Sequence, residues 1–151
     1  MANICTNVIT LHGDPDKIKT TFMRLKLSCA TPGQDNELFD FEHYVPIVAW
    51  EYDNALATWG TKLRPDTPVF SYRPRCVKID FGTAWSPSNL HVFQRICEEH
   101  EVKTAEYYYF EPGNEIYGFY KFRNGQYSAM SSREGESSRL RRQVLRGMKS
   151  F

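Results

Sequence analysis

The sequence has no apolar run approaching the roughly 18 residues that a membrane-spanning helix requires. Its first residues lack the basic stretch and the apolar block of a secretory signal. The cysteines are few and far apart, and a disulfide framework would be unusual in an intracellular chain of this size. We therefore expect a soluble cytoplasmic protein whose four cysteines are reduced and bind no metal: Cys5, Cys29, Cys76 and Cys97.

Recognisable catalytic motifs are also missing. The chain contains no nucleophile elbow, phosphate-binding loop, dinucleotide fingerprint or zinc-protease motif. None of its four histidines has the spacing of a metal site, and the cluster Asp40-x-Glu42-His43 fits a solvated strand edge as well as an acid–base site. We predict no catalytic residue, no cofactor and no metal.

Charge is unevenly distributed. Residues 131–151 carry six basic side chains against two acidic ones, a net charge of +4. Because the whole chain carries +1, the body carries −3. An acidic body with a basic end is not typical of a dedicated nucleic-acid domain, whose body would itself be basic.

Hydrophobic periodicity predicts alternating strands and helices. Helix starts are indicated by Asp14-Pro15 and Ser86-Pro87, and Asn124-Gly125 is a strong hairpin signal. A proline-containing run predicts a long loop over 64–75, preceded by a short helix over 51–57. The predicted strands are 3–11, 38–45, 76–83, 103–111, 116–122 and 126–130, and the main helices are 15–27 and 87–99.

This order predicts an α+β fold with a ferredoxin-like β-α-β-β-α-β sheet, interrupted by an irregular insertion. Both main helices should cover one face of the sheet. We predict a domain over 1–130 that includes two extra C-terminal hairpin strands, followed by a polar linker and a basic C-terminal helix over 131–151. Buried together should be Ile18, Phe22, Leu25, Leu90, Phe93 and Cys97, while Leu140, Val144 and Met148 form the apolar side of the last helix.

Three stretches carry a family resemblance. They are Asn3-Ile4-Cys5-Thr6-Asn7, Trp59-Gly60-Thr61-Lys62 and Thr83-Ala84-Trp85-Ser86-Pro87. In order and spacing they resemble the YubB-like ferredoxin-like family of plasmid- and phage-encoded bacterial proteins. The departures are Ile4 for Trp, Thr58 for Asn, Leu63-Arg64 for Trp-Asp and Ser88 for the second proline. The resemblance implies the fold and a mobile-element origin in a bacterial host cell, and it implies no catalytic residue.

The second and third stretches form the best candidate for a site. Their indoles, hydroxyls and ammonium group are the chemistry of a pocket for a planar or anionic group. The alternative is that both tryptophan rings are core and the hydroxyls only cap. We expect Trp59 and Trp85 to meet at one end of the sheet, and the candidate binding residues are Trp59, Thr61, Lys62, Trp85 and Ser86.

Two further features suggest binding. The aromatic strands 107–110 and 117–122 would stack on bases in RNA-binding relatives of this topology, although alternating core aromatics explain them as well. The basic helix either binds an anionic partner, docks on the acidic body or remains frayed. Its candidate residues are Arg139, Arg141, Arg142 and Arg146.

Three functions remain open. The first is a non-enzymatic binding protein of a phage or plasmid that contacts a host or defence-system macromolecule, most often a protein. The second is a single-stranded nucleic-acid binder that uses the sheet aromatics and the basic tail. The third is a small-molecule or nucleotide enzyme at a pocket formed by Trp59, Lys62 and Trp85.

Overall fold

A computed structural model describes residues 3–28, 41–46, 52–61, 66–135 and 137–151. Within these residues the chain forms one six-stranded sheet with helices on both faces. No helix in this part of the chain is long and apolar enough to cross a membrane. The elements in chain order are β1 (Ile4–His12), α1 (Pro15–Ser28), α2 (Phe41–Tyr44), α3 (Tyr52–Trp59), β2 (Asp66–Arg73), β3 (Cys76–Ala84), α4 (Leu90–Glu99), β4 (Thr104–Glu111), β5 (Ile116–Arg123), β6 (Gln126–Ser131), a 3-10 turn (Ser132–Glu134) and α5 (Ser138–Lys149).

The strand order is β2-β3-β1-β4-β5-β6, and every neighbouring pair is antiparallel. The first four strands have the ferredoxin-like arrangement, with β1 between β3 and β4. The Asn124-Gly125 hairpin then adds β6, and both turn residues have the positive φ angles (51° and 76°) that a tight hairpin needs. The predicted fold class is confirmed.

The predicted strand over 38–45 is wrong where the structure describes it, because residues 41–44 form α2. The second strand is instead β2, inside the segment that we predicted to be a loop. The prolines indicated a loop, but they are compatible with β2 because it is an edge strand. Pro68 lies at a register shift, and Pro74 follows the strand in the turn to β3. The predicted short helix is confirmed as α3.

One face of the sheet and the helices α1 and α4 share the main core. Alternate strand residues such as Ile9, Ile79 and Tyr107 point into it. The six predicted core residues all belong to it: Ile18, Leu25, Phe93 and Cys97 are buried, and Phe22 and Leu90 are partly buried against them. Helix α4 begins later than predicted, since Asn89 is its cap and accepts a hydrogen bond from the Val92 amide.

Helix α5 covers the opposite face of β4 and β5. Leu140 and Val144 are buried against Tyr108, Tyr117 and Phe119. The predicted apolar stripe is confirmed, including Met148, which packs at the edge of this cluster. The helix therefore docks on its own domain, but through aromatic side chains rather than through the acidic charge of the body.

The C-terminal residue extends this cover toward the β2 edge. The Phe151 ring lies 4.5 Å from the guanidinium carbon of Arg73 and 5.7 Å from the Lys78 ammonium. Cations over a ring face are attracted to its π-electrons, so these contacts hold the Phe151 ring on the sheet.

Candidate binding site at the end of the sheet

A buried hydrogen-bond network joins β1, β3 and β4 at the end of the sheet near α4. The Asn7 side chain is fully buried; its amide donates to Thr83 Oγ1 (2.8 Å), and its oxygen accepts from the Tyr107 hydroxyl (2.8 Å). The Tyr107 hydroxyl has one proton and donates it to Asn7. Toward Ser88 it is therefore the acceptor, and it accepts hydrogen bonds from the Ser88 amide (3.1 Å) and the Ser88 hydroxyl (2.7 Å). The network thus ties the segment before α4 to the central strand.

The Trp-Gly-Thr stretch is fastened to the same place. Thr61 donates to the Ala84 carbonyl (3.0 Å), and Ser86 donates to the Gly60 carbonyl (2.8 Å). Gly60 has a φ of +81°, and a Cβ there would lie 2.8 Å from the Asn89 backbone nitrogen, so a glycine is required. The three stretches that carry the family resemblance therefore meet in one structure at this end of the sheet.

The two tryptophans have different environments. Trp59 is fully buried; its indole N–H donates to the Val45 carbonyl (2.9 Å), and its ring packs 5.9 Å from that of Phe41. Trp85 is 42% exposed and adopts a left-handed φ of 70°. The alternative that both rings are core is therefore wrong for Trp85. The two motifs meet, but the Trp59 ring is enclosed and cannot offer a face to a ligand.

Lys62, the proposed cation of this site, lies outside the described residues. Thr61 is fully buried and Ser86 half-buried, and both hydroxyls donate to backbone carbonyls. These two candidate residues shape the end of the sheet. Their position agrees with the capping role that we weighed against binding.

A cavity of about 290 Å³ opens beside these motifs. It lies between the segment that leads into α4 and the end of β6. Sequence reasoning missed its walls because they come from four separate parts of the chain. They include Gly60, Pro87, Asn89, Tyr109, Ile116, Tyr120, Ala129 and Arg133.

The sheet aromatics do not form an open stacking surface. Tyr107 and Tyr109 face the main core, whereas Tyr108, Tyr117 and Phe119 lie under α5, and all five are at most 5% exposed. These five rings are therefore not available to stack on bases, and the other three rings of the tract, Phe110, Tyr120 and Phe122, are partly buried.

The arginines of α5 are on its exposed side. Arg139, Arg142 and Arg146 border a shallow surface depression together with Gln143. Within the part of the chain that the structure describes, no acidic side chain forms an ion pair with these three. Arg141 differs, since its guanidinium carbon lies 5.4 Å from the Phe110 ring centre. Three of the four predicted tail residues thus form a common surface.

The histidines and cysteines give no metal centre in the described part of the chain. Asp40 and the Glu42 side chain of the predicted cluster lie outside that part, and His43 instead lies 2.9 Å from Glu99. Cys5, Cys76 and Cys97 are free thiols, and Cys29, the fourth predicted free thiol, lies outside the described residues. Burial raises the pKa of both Cys5 and Cys97 to about 12, which keeps these thiols protonated and unreactive.

The sheet order and its two covered faces define a ferredoxin-like α+β domain extended by a hairpin and a C-terminal helix. The family described as "Ferredoxin-like domain in Api92-like protein" matches residues 70–148, just over half of the chain. The chain belongs to this family. The match includes most of α5, whereas the domain boundary that we predicted at residue 130 stays a prediction.

A crystal structure of a protein api92 from Yersinia pseudotuberculosis is similar, with a TM-score of 0.60 and 8% sequence identity. The similarity covers 86% of this chain and 98% of that protein, and at this identity it shows the fold alone. No curated protein matches. The narrower YubB-like family, with its phage and plasmid setting, is not confirmed.

Proposed function

We propose that the chain is a non-enzymatic binding protein that contacts an acidic surface of a host or defence-system protein through α5. The observation that carries the proposal is the row of exposed arginines at positions 139, 142 and 146. Residues three and four apart lie on one side of a helix, so the three guanidinium groups point to the same partner. A phage or plasmid origin rests on the resemblance of the three motifs.

The helix is well suited to present these charges. Its apolar side is held by Leu140 and Val144, so the arginine side is fixed relative to the sheet. Arginine is also the cation that pairs best with carboxylates, because its planar fork donates two parallel hydrogen bonds. A rigid row of this kind recognises carboxylates at a defined spacing.

A protein partner is favoured over nucleic acid by the rest of the chain. The body carries a net charge of −3, which would repel a phosphate backbone running beyond the helix. The covered sheet aromatics also remove the stacking surface that single-stranded binders use. An acidic protein surface no larger than the helix avoids both difficulties.

The test compares two triple variants with the same change in charge. One replaces Arg139, Arg142 and Arg146 by alanine, and the control replaces the exposed Lys19, Arg75 and Lys103. We expect the wild type and the control to capture the same acidic protein from bacterial lysate, and the arginine variant to lose it. Equal capture by all three proteins would contradict the proposal. A gel shift with single-stranded RNA that only the arginine variant loses would assign the surface to nucleic acid.

A further inference from the structure

The two edges of the sheet are protected to different extents. At the β2 edge the strand contains Pro68, a register shift and the exposed charged residue Arg73. These are features that prevent an edge strand from pairing with another chain. β6 pairs in unbroken register with β5, and its sequence Gln-Tyr-Ser-Ala-Met-Ser has neither a charge nor a proline.

The outward backbone groups of β6 follow from its register. In a two-residue hairpin the residues flanking the turn, Arg123 and Gln126, bond to each other, and the direction then alternates along the ladder. The N–H and C=O groups of Tyr127, Ala129 and Ser131 therefore point away from β5. The Tyr117 amide supports this register, because it points toward the β6 side and donates to Ser132 Oγ (3.1 Å).

The 290 Å³ cavity lies beside this edge, at Ala129 and Ser131. Ala129 pairs with Tyr120, whose ring faces the main core, so the Ala129 methyl group is on the cavity side of the sheet. A residue of an added strand opposite Ala129 would point its side chain to the same side. The edge and the cavity thus form a single groove.

The cavity favours an apolar side chain. The Tyr120 hydroxyl donates to the Ser88 carbonyl (3.0 Å). The rings of Tyr109 and Tyr120 line the cavity together with Pro87 and Ile116, and its polar part comes from Ser86, Ser88, Asn89, Ser131, Arg133 and Glu134. The side chain that we expect to bind therefore fills the apolar part of the cavity. A second copy of this chain that paired symmetrically about Ala129 would place only its own Ala129 methyl group there, which leaves most of the cavity empty.

We propose that β6 binds an extended segment of a partner polypeptide as a seventh strand, with one bulky apolar side chain in the adjoining cavity. Main-chain hydrogen bonds from the three outward-facing residues hold the segment, and the cavity selects the residue opposite Ala129. This groove is separate from the arginine row of α5. It goes beyond the proposed function and does not depend on it.

The probe is a blocked seven-residue peptide of alternating threonine and valine with leucine at its centre, added to the ¹⁵N-labelled full chain. We expect amide shifts concentrated at Tyr127, Ala129 and Ser131. Replacing the central leucine by alanine should weaken binding about tenfold, which corresponds to about 1.4 kcal/mol, because less apolar surface is buried in the cavity. Methylating the central peptide nitrogen should weaken it at least as much.

Ala129→Pro tests the protein side. It removes one outward N–H but no bond to β5, so the fold should persist while the peptide shifts disappear. Ser128→Ala, on the other face of β6 and outside the cavity lining, is the matched control and should bind normally. If Ala129→Pro fails to fold, the methylated peptide tests the same strand pairing from the other side, because it removes a hydrogen bond from the peptide N–H to a β6 carbonyl. Absence of β6 shifts at low millimolar peptide, equal binding of the leucine and alanine peptides, or self-association of the wild type through β6 would each overturn the proposal.

Discussion

Gly147 of α5 lies directly on the ring of Tyr108 in β4, and a Cβ atom at position 147 would overlap the ring carbons. The glycine is required by this close approach of helix and ring rather than by backbone conformation. It allows the helix to lie flat on the aromatic face of the sheet, which in turn fixes the direction of the arginine row.

Gly147→Ala should therefore destabilise the protein. Alanine favours a helix over glycine by about 1 kcal/mol, but overpacking of a close contact costs about 1–3 kcal/mol. We expect a net loss of up to about 2 kcal/mol in urea unfolding. Gln143→Ala, on the exposed side of the same helix, is the control and should change stability by less than about 0.5 kcal/mol. A stabilised Gly147→Ala variant would show that α5 does not rest on Tyr108.

The two tryptophans should respond differently to truncation. Trp59→Ala removes a fully buried ring and its hydrogen bond to Val45, and should cost about 3–5 kcal/mol. Trp85→Ala should cost at least about 2 kcal/mol less, because the ring is 42% exposed. A buried Trp85 would instead give a large loss of unfolding free energy, similar to that of Trp59→Ala.

The backbone of Trp85 allows a second comparison. Its φ of 70° is costly for a residue with a Cβ, so Trp85→Gly should be more stable than Trp85→Ala, by up to about 1–2 kcal/mol. The usual cost of glycine flexibility in the unfolded chain opposes this gain. Thermal melts of the two variants measure which one is more stable. A more stable alanine variant would show that position 85 is not held in the left-handed region.

Tyr107→Phe tests the buried network. The substitution leaves the Asn7 oxygen and the Ser88 amide without their partner at 2.8 and 3.1 Å. A buried polar group without a partner costs about 1–3 kcal/mol, so the loss in unfolding free energy should fall in that range. Tyr72→Phe on the exposed part of β2 is the control and should be nearly neutral. Equal stability of both variants would show that the network contributes nothing.

His100 makes stability depend on pH. Burial, as the main cause, lowers its pKa from 6.5 to about 4, with smaller contributions from Arg24 and His43, while Glu99 acts in the opposite direction. The ring is 1% exposed; Nε2 lies 2.9 Å from the Tyr44 hydroxyl, and Nδ1 has no partner among the described residues. The unfolded chain therefore takes up the proton first as pH falls, and stability present above about pH 6.5 is lost toward about pH 4.

The expected loss over this range is about 3 kcal/mol from His100 alone. Urea unfolding of the wild type and His100→Gln at several pH values isolates the contribution, because the other titrating groups are shared. The variant should show a flatter dependence, whereas His91→Gln, at an exposed position of α4, should behave as the wild type does. Parallel curves for the wild type and His100→Gln would contradict the assignment.

Local sequence signals determined most of the elements. Apolar spacing located α1, α4 and α5, and Asn124-Gly125 located the last hairpin, because these signals act within a few residues. The second strand was missed because the prolines in and after it predicted a loop. Proline is excluded from central strands, and only the sheet order shows that β2 lies at an edge, where the missing N–H costs nothing.

The sequence by itself determined the ferredoxin-like class of the fold, though not the position of its second strand, together with the six predicted core residues and the apolar side of the last helix. Only the tertiary structure decided what these elements cover and leave open. Exposure of a ring depends on long-range packing, which is why Trp59 is enclosed, Trp85 is exposed and the aromatic strands lie beneath α5. The groove beside β6 likewise exists only after segments distant in sequence are brought together by the buried network of Asn7 and Tyr107.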